Sequence, residues 1–372
     1  GPLTLKLEHA FRDMLAAAKN PLVLAGGGGW TAEACADLAA FAEANQLPVA
    51  TAFRRQDLMD NRHPNFAGVV GLGINPKLKE RLDDTDLLIV LGPQLGEIVS
   101  GGYTYFTFPK PKQTMIHISA GVDELGKVYQ ADLGMNAGMA EFCAAAKAMA
   151  PVDASWAGEA KAAHADYIAF STPPDMPGDV NYSEIVGWLS DNLPDDAVIT
   201  NGAGNYTVWV HRFFRYKQYG TQLAPQSGAM GYGVPSGVAA GVRHRDRVVV
   251  SFSGDGCFQM NGQEIGTAVQ QGVKTIFIVV NNGMYGTIRM HQETHYPKRK
   301  SGTDLHNPDF AALARAYGAH GETVTKTADF EAAFEHCRAV DGPSLIELVI
   351  EPDAVLPTST LSGIQAAALK AK

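Results

Sequence analysis

Short apolar segments alternate with longer mixed segments along most of the chain. β-Branched and aromatic residues fill residues 248–252 and 275–280, as in strands buried on both faces of a parallel sheet. Between them, residues 261–271 are predicted to form a helix that ends at Gly272. A right-handed crossover makes the two strands parallel, so that their carboxyl ends lie at the same edge of the sheet.

The same alternation continues on both sides of this region. Further strands are predicted at residues 22–25, 48–51, 86–91, 114–118, 197–200 and 345–350. Further helices are predicted at residues 3–19, 32–45 and 183–192, with Thr31 capping the second of them. The pattern therefore predicts an α/β protein with two doubly wound domains, whose mainly parallel sheets are flanked by helices.

A proline- and glycine-rich segment at residues 172–178 divides this pattern. At 372 residues the chain is long enough for two domains. We predict a first domain at 1–150, a linker at 151–177, a second domain at 178–352 and a C-terminal tail at 353–372.

Polar side chains follow the two strands described first. Asp255 stands between Gly254 and Gly256 after one strand, and Asn281-Asn282 follows the next. Carboxylate and amide oxygens are ligands that suit Mg²⁺, and the two glycines allow backbone N–H groups to approach an anion. The sequence therefore predicts a site for a metal ion together with a diphosphate.

Two other motifs have simpler interpretations. Gly26–Gly29 suggests a dinucleotide loop, but Thr31 stands where the third fingerprint glycine belongs and no ribose-binding acid follows, so a tight strand-to-helix turn is favoured. His291 and His295 share a helical spacing, yet Gln292 stands where a zinc-protease motif has glutamate, which disfavours zinc.

Composition and charge restrict the class of partner. The formal net charge of −9 argues against nucleic acid and against an anionic membrane surface. No apolar run approaches the roughly 20 residues of a membrane span. The four cysteines form no CxxC pair, which is typical of a reducing cytoplasm, so we expect a cytoplasmic protein.

The spacing of the two polar motifs resembles the signature of thiamine-diphosphate enzymes. Twenty-four residues separate Gly254-Asp255-Gly256 from Asn281-Asn282. Over nearly its whole length the chain looks like the central and diphosphate-binding domains of the acetolactate synthase, pyruvate decarboxylase and benzoylformate decarboxylase group. The resemblance implies thiamine diphosphate and Mg²⁺ as cofactors.

The resemblance also implies roles for individual residues. Asp255, the Asn282 side chain and the Met284 carbonyl are expected to bind Mg²⁺. The other residues expected to contact the cofactor are Gly204, Asn205, Tyr206, Gly254, Gly256, Cys257 and Tyr285. Gly228 is expected to accept the proton of the cofactor's 4′-amino group, and Met230 to prop the cofactor in its bent shape. Tyr285, Thr287 and Ile288 are expected to line the substrate pocket. Thr287 and Ile288 also suit the start of a helix, so both interpretations stay open.

The implied function is decarboxylation and carboligation of 2-oxo acids, similar to acetolactate synthase. The alternatives are a non-oxidative decarboxylase of the benzoylformate decarboxylase type and a non-catalytic module that binds a nucleotide or diphosphate. Residues 91–96 lack the arginine of flavin-binding synthases, which argues against FAD. Ile288 stands where pyruvate decarboxylase has a catalytic glutamate, which disfavours that activity. Asn205-Tyr206-Thr207 replaces the Gln-His-Gln turn of the synthases.

One domain of this family has no match in the sequence. The family activates its cofactor with a glutamate on a separate pyrimidine-binding domain, normally N-terminal and contributed by a partner subunit. Here the central-domain pattern begins almost at residue 1, so we expect a truncated form that is inactive alone. A homodimer or tetramer is implied by the resemblance.

Overall fold

The computed structural model describes residues 5–371 of the chain. The first two residues of the helix predicted at 3–19, residues 1–4 of the first predicted domain and residue 372 of the predicted tail lie outside the described residues. Two compact units are present, one of residues 5–171 with 215–220 and one of residues 172–214 with 221–371.

The first unit is built around a parallel sheet. Its strands are β1 Pro21–Ala25, β2 Val49–Ala52, β3 Phe66–Val70, β4 Leu87–Leu91, β5 Thr114–Ser119 and β6 Leu133–Asn136. Its helices are α1 Leu5–Ala17, α2 Ala32–Ala44, α3 Pro76–Asp84, α4 Met139–Ala148 and α5 Glu159–Phe170. The described strands are ordered β3-β2-β1-β4-β5-β6, and every pairing is parallel.

Helices cover both faces of this sheet, and the side chains of each strand alternate between the two faces. Val23 belongs to the core that includes residues of α1, α2 and α4. Its neighbour Leu24 belongs to a second core that includes residues of α3 and α5. Two-sided burial explains why the strands read as continuous apolar runs.

The second unit repeats this architecture. Its strands are β7 Val198–Asn201, β8 Gln222–Leu223, β9 Val249–Gly254, β10 Thr275–Asn281, β11 His320–Val324 and β12 Ser344–Val349, with a hairpin of β13 Ala354–Leu356 and β14 Ser359–Thr360. Its helices are α6 Tyr182–Asn192, α7 Tyr206–Phe213, α8 Gly233–Arg243, α9 Asp255–Asn261, α10 Glu264–Gln271, α11 Gly286–His295, α12 Phe310–Ala316, α13 Phe330–Ala339 and α14 Leu361–Lys370. The described strands of the main sheet are ordered β11-β12-β10-β9-β7-β8, again all parallel.

The predicted α/β class with two parallel-sheet domains is confirmed. Several local predictions are confirmed as well. The hydroxyl of Thr31 accepts a hydrogen bond from the N–H of Ala34 at the start of α2. Gly272 ends α10 in the left-handed conformation, with a φ of 58°, and β9 and β10 are parallel neighbours.

The predicted start of the helix at residues 261–271 is wrong. Helix α9 starts at Asp255, directly after the strand, and Gly262 and Gln263 separate it from α10. Asp255 lies in the first turn of α9, where an acidic residue stabilises a helix. The sequence pattern did not show that the residues after Gly254 are already helical.

Other elements were not predicted. Gly68, with a φ of 114°, interrupts the otherwise apolar strand β3, and glycine weakens a strand pattern. Edge strand β11 is polar, so it lacks the apolar pattern of a buried strand. Helix α5 lies within the segment predicted as a linker, where Tyr167 packs edge-to-face on Phe66 of β3 at 4.8 Å.

Within residues 5–371, no helix combines the length and apolar character needed to cross a membrane.

A buried histidine in β5 makes the stability of the first unit dependent on pH. His117 is 3% exposed, and burial lowers its pKa from 6.5, with a smaller opposing effect of the Pro93 carbonyl. The unfolded chain therefore binds the proton more tightly, so this stabilisation is complete above the unfolded pKa and is lost as the pH falls below it.

We expect the free energy of unfolding to decrease as the pH falls below about 6.5, with a slope of up to about 1.4 kcal/mol per pH unit from this residue. His117→Gln should reduce that slope, as measured by calorimetric unfolding. The matched variant His9→Gln replaces an exposed histidine of α1 and should leave the slope unchanged. An equal slope in wild type and His117→Gln contradicts the prediction.

Candidate functional site

The carboxyl ends of β9 and β10 bring the two polar motifs together. Gly254 pairs with Val280 in parallel register, so Asp255 and Asn281 follow at neighbouring positions. Residues 282–285 then connect β10 to α11. Open α/β sheets bind ligands at this edge.

Asp255 is a buried carboxylate with neutral partners. One carboxylate oxygen accepts the N–H of Gly256 at 2.8 Å, and the other accepts the amide of Asn307 at 2.8 Å. Burial raises its pKa, and hydrogen bonds from Asn307 and from backbone N–H groups oppose that rise. A buried carboxylate surrounded by neutral donors is suited to a bound cation, which offsets the desolvation of the charge.

Asn307 holds this part of the site and was missed by sequence reasoning. Its amide group also donates to the side-chain oxygen of Asn281 at 2.8 Å, and its own oxygen accepts from Gln259 at 2.8 Å. Asn281 in turn donates to Glu347 at 2.7 Å. Because Asn307 lies in an irregular segment far along the chain, no spacing or periodicity could have identified it.

Backbone pairing explains how that irregular segment reaches the site. The N–H of Tyr285 donates to the carbonyl of Thr303 at 2.9 Å, and the N–H of Leu305 donates to the carbonyl of Gly283 at 2.8 Å. Gly283 has a φ of 69°, a conformation that glycine adopts without strain. The turn after Asn282 is therefore held between β10 and residues 303–305.

A second wall is formed where α7 and α11 begin. The Thr287 hydroxyl accepts the N–H of Asn205 and donates to the Asn205 side-chain oxygen, both at 2.9 Å. The hydroxyl of Tyr206 accepts the N–H of Gly202 at 3.0 Å and lies 3.4 Å from the sulfur of Cys257. These contacts connect the turn after β7 to both polar motifs.

Two aromatic rings explain the glycines around Asp255. A Cβ atom at Gly256 would lie 2.5 Å from the ring of Tyr285, and one at Gly254 would lie 2.9 Å from the ring of Tyr206. The glycines therefore allow both rings to pack against the backbone of the turn.

All the site residues predicted from the sequence line one cavity of about 250 Å³. The residues placed there are Gly204, Asn205, Tyr206, Gly228, Met230, Gly254, Asp255, Gly256, Cys257, Asn282, Met284, Tyr285, Thr287 and Ile288. Thr287 and Ile288 lie in the first turn of α11 and also line the cavity, so the two interpretations left open are compatible.

Part of the cavity wall comes from the segment predicted as a tail. Ala354 and Val355 of that segment line the cavity, and the side chain of Asn205 donates to the carbonyl of Val355 at 3.0 Å. Helix α14 packs on α11, where Gln365 donates to the buried carboxylate of Glu293 at 2.7 Å. Sequence reasoning missed this wall because the segment has neither a long apolar run nor a polar motif.

The chain matches two family models. Residues 9–146 match the central domain of thiamine pyrophosphate enzymes, and residues 202–348 match their C-terminal TPP-binding domain. Together the matched segments cover most of the chain and include both polar motifs.

Similar curated proteins have names that agree with these matches. The large subunit of acetolactate synthase isozyme 2 from Escherichia coli is 29% identical over 93% of this chain and 62% of its own length. The acetolactate synthase large subunit from Corynebacterium glutamicum is 29% identical over 95% of this chain and 58% of its own. That from Parasynechococcus marenigrum is 30% identical over 84% of this chain and 51% of its own.

The chain thus spans between half and two thirds of the length of these relatives. The matched segments contain the strands of the first sheet, most strands of the second sheet and the polar residues predicted for the cavity. The chain belongs to the thiamine pyrophosphate enzymes, of which it carries the central and the C-terminal domains.

Proposed function

We propose that the second unit binds thiamine diphosphate with Mg²⁺ and forms part of the active site of an acetolactate-synthase-like enzyme that acts on 2-oxo acids. The observation that carries this proposal is the buried Asp255 carboxylate beside Asn282 in one cavity with the turn at Gly204 and Asn205. When bound, thiamine diphosphate supplies the electron sink for breaking the bond next to the carbonyl of a 2-oxo acid.

Asp255, Asn282 and the backbone carbonyl of Met284 are proposed to hold the metal ion. Their oxygens are the hard ligands that Mg²⁺ prefers, and the remaining positions would be filled by phosphate oxygens and water. The side-chain oxygen of Asn282 accepts the N–H of Met284 at 3.2 Å, which keeps the turn compact around these ligands. Asn307 positions Asp255 through its 2.8 Å hydrogen bond.

The diphosphate is proposed to lie against the turn at residues 204–206 and the turn at residues 254–257. The net charge of −9 makes a general basic surface unsuitable as the anchor, so the metal ion and backbone N–H groups supply the attraction. Glycine at 254 and 256 supports this role, because it lets the rings of Tyr206 and Tyr285 pack on the turn and hold its backbone in place.

The other end of the cofactor is proposed to contact Gly228 and Met230. The Gly228 carbonyl would accept a hydrogen bond from the 4′-amino group, and Met230 would hold the cofactor bent. Gly228 has a φ of 72°, which suits glycine. Tyr285, Thr287 and Ile288 are proposed to line the space for the substrate, and the 50% exposure of Ile288 leaves its side chain accessible.

The group that activates the cofactor is proposed to come from a pyrimidine-binding domain, in a homodimer or larger assembly as the family resemblance implies. Asp255 is the one carboxylate among the cavity-lining residues of the described chain, and it is assigned to the metal. This observation supports a site that another domain completes.

Calorimetric titration of the 372-residue chain with thiamine diphosphate tests the proposal. We expect binding that requires Mg²⁺ and is abolished by a chelator. Thiamine monophosphate is the matched control ligand, and it should bind more weakly because it lacks the second phosphate that bridges to the metal. Equal binding of the two ligands, with or without Mg²⁺, contradicts the proposed site.

A further inference from the structure

A cluster of metal-binding side chains lies away from the cavity, between edge strand β11 and helix α13. His320 and Glu322 come from β11, and Cys337 comes from α13. One nitrogen, one oxygen and one sulfur atom of these side chains all lie within 4.8 Å of one another. Imidazole, carboxylate and thiolate are the protein ligands of zinc.

The fold explains why these side chains meet. His320 and Glu322 are two residues apart and so point to the same face of β11. Gly321 points to the opposite face, where an added Cβ atom would collide with the backbone of Ala311 in α12. The two side chains therefore face away from α12 and toward α13, whose buried face includes Cys337.

The carboxylate of Glu322 contacts two histidines. One of its oxygens lies 2.7 Å from Nε2 of His320 and 3.5 Å from Nδ1 of His336. His336 lies outside the group of three but contacts the same carboxylate oxygen, and structural zinc sites are four-coordinate, so His336 is the candidate for the fourth ligand. Cys337 is 2% exposed whereas the His336 side chain is 71% exposed, so the cluster has a closed side and an entry path.

We propose that His320, Glu322, His336 and Cys337 bind a divalent transition-metal ion of the zinc class. His320 is the first residue of β11 and pairs with Ser344, the first residue of β12. The cluster therefore begins at the amino ends of the strands, while Asp255 follows the carboxyl end of β9. Such a metal ion links the edge strand to its covering helix, and it takes no part in the chemistry of the cavity.

Titration with Co²⁺ and Zn²⁺ after removal of bound metal tests this site. We expect one Co²⁺ per chain with a thiolate-to-cobalt charge-transfer absorption, displaced by Zn²⁺. Cys337→Ser should abolish that absorption. His320→Ala should weaken Zn²⁺ binding by more than about tenfold, since even outer-sphere partners of a metal contribute about 10–100-fold.

Three control variants identify the source of any binding. Cys143→Ser removes a buried cysteine of the first unit, His291→Ala removes the partner that stacks on His295, and Asp255→Ala removes the cavity carboxylate. All three should retain the cobalt absorption. His320 is partly exposed, so His320→Ala keeps the test decisive if Cys337→Ser does not fold. Binding without the thiolate absorption, or binding that persists in His320→Ala and is lost in His291→Ala or Asp255→Ala, overturns the proposal.

Discussion

Replacing Asp255 with alanine is expected to weaken Mg²⁺-dependent binding of thiamine diphosphate by more than about 100-fold. Loss of an outer-sphere partner of a metal costs about 10–100-fold in affinity, and Asp255 is proposed to be a direct ligand. Its carboxylate is also the one negative charge among the described residues that line the cavity. Without it, the metal would retain only neutral protein ligands, and the diphosphate would lose its bridge to the protein.

Calorimetry at a fixed Mg²⁺ concentration measures this effect, and thermal unfolding shows whether the variant remains folded. Asp341→Ala is the matched control, because that carboxylate lies in the same unit and its side chain is 94% exposed. Binding by Asp255→Ala within threefold of wild type would exclude Asp255 as a metal ligand.

Asn307→Ala provides an intermediate case in the same experiment. The variant leaves the Asp255 carboxylate in place but removes the amide that joins it to Asn281. We expect an affinity loss of about 10–100-fold, smaller than that of Asp255→Ala. An affinity loss as large as that of Asp255→Ala would indicate that the whole turn had rearranged, and this is detectable as a lower melting temperature.

The residues that sequence reasoning identified share one physical property. Asp255 and Asn282 each follow an apolar strand within a few residues, and strand order and chain direction then place them at one edge. Gly204 and Asn205 follow a strand in the same way. The pattern of buried strands thus contains enough information to predict which of these side chains meet.

The residues that were missed depend on tertiary contacts without a local signal. Asn307 reaches Asp255 because residues 303–305 pair with residues 283–285. Val355 reaches the cavity because its carbonyl accepts from Asn205 across a large sequence separation. His320 and Cys337 meet because of the direction in which β11 faces α13. Irregular segments have no periodicity from which such contacts could be predicted.

The 372-residue chain, purified alone, is expected to turn over no 2-oxo acid, and a pyrimidine-binding domain is expected to restore turnover. The chain is proposed to anchor the diphosphate at Asp255 and to contact the far end of the cofactor through Gly228 and Met230. The described cavity contains no second carboxylate that could assist proton transfer to the cofactor. General acid–base assistance contributes about 10²–10⁴-fold to a rate, so we expect turnover by the isolated chain to fall below detection.

The test joins this chain to the pyrimidine-binding domain of an acetolactate synthase and measures pyruvate consumption and its products. The matched control is the same fusion with the activating glutamate of the added domain replaced by glutamine. We expect turnover from the first fusion and at least a 100-fold lower rate from the second.

Acetolactate among the products supports the synthase-like function, and free aldehyde alone supports the decarboxylase alternative. Turnover by the isolated chain that disappears in Asp255→Ala would show that the activating group lies within these 372 residues, while cofactor binding without turnover in either fusion would favour a non-catalytic binding module.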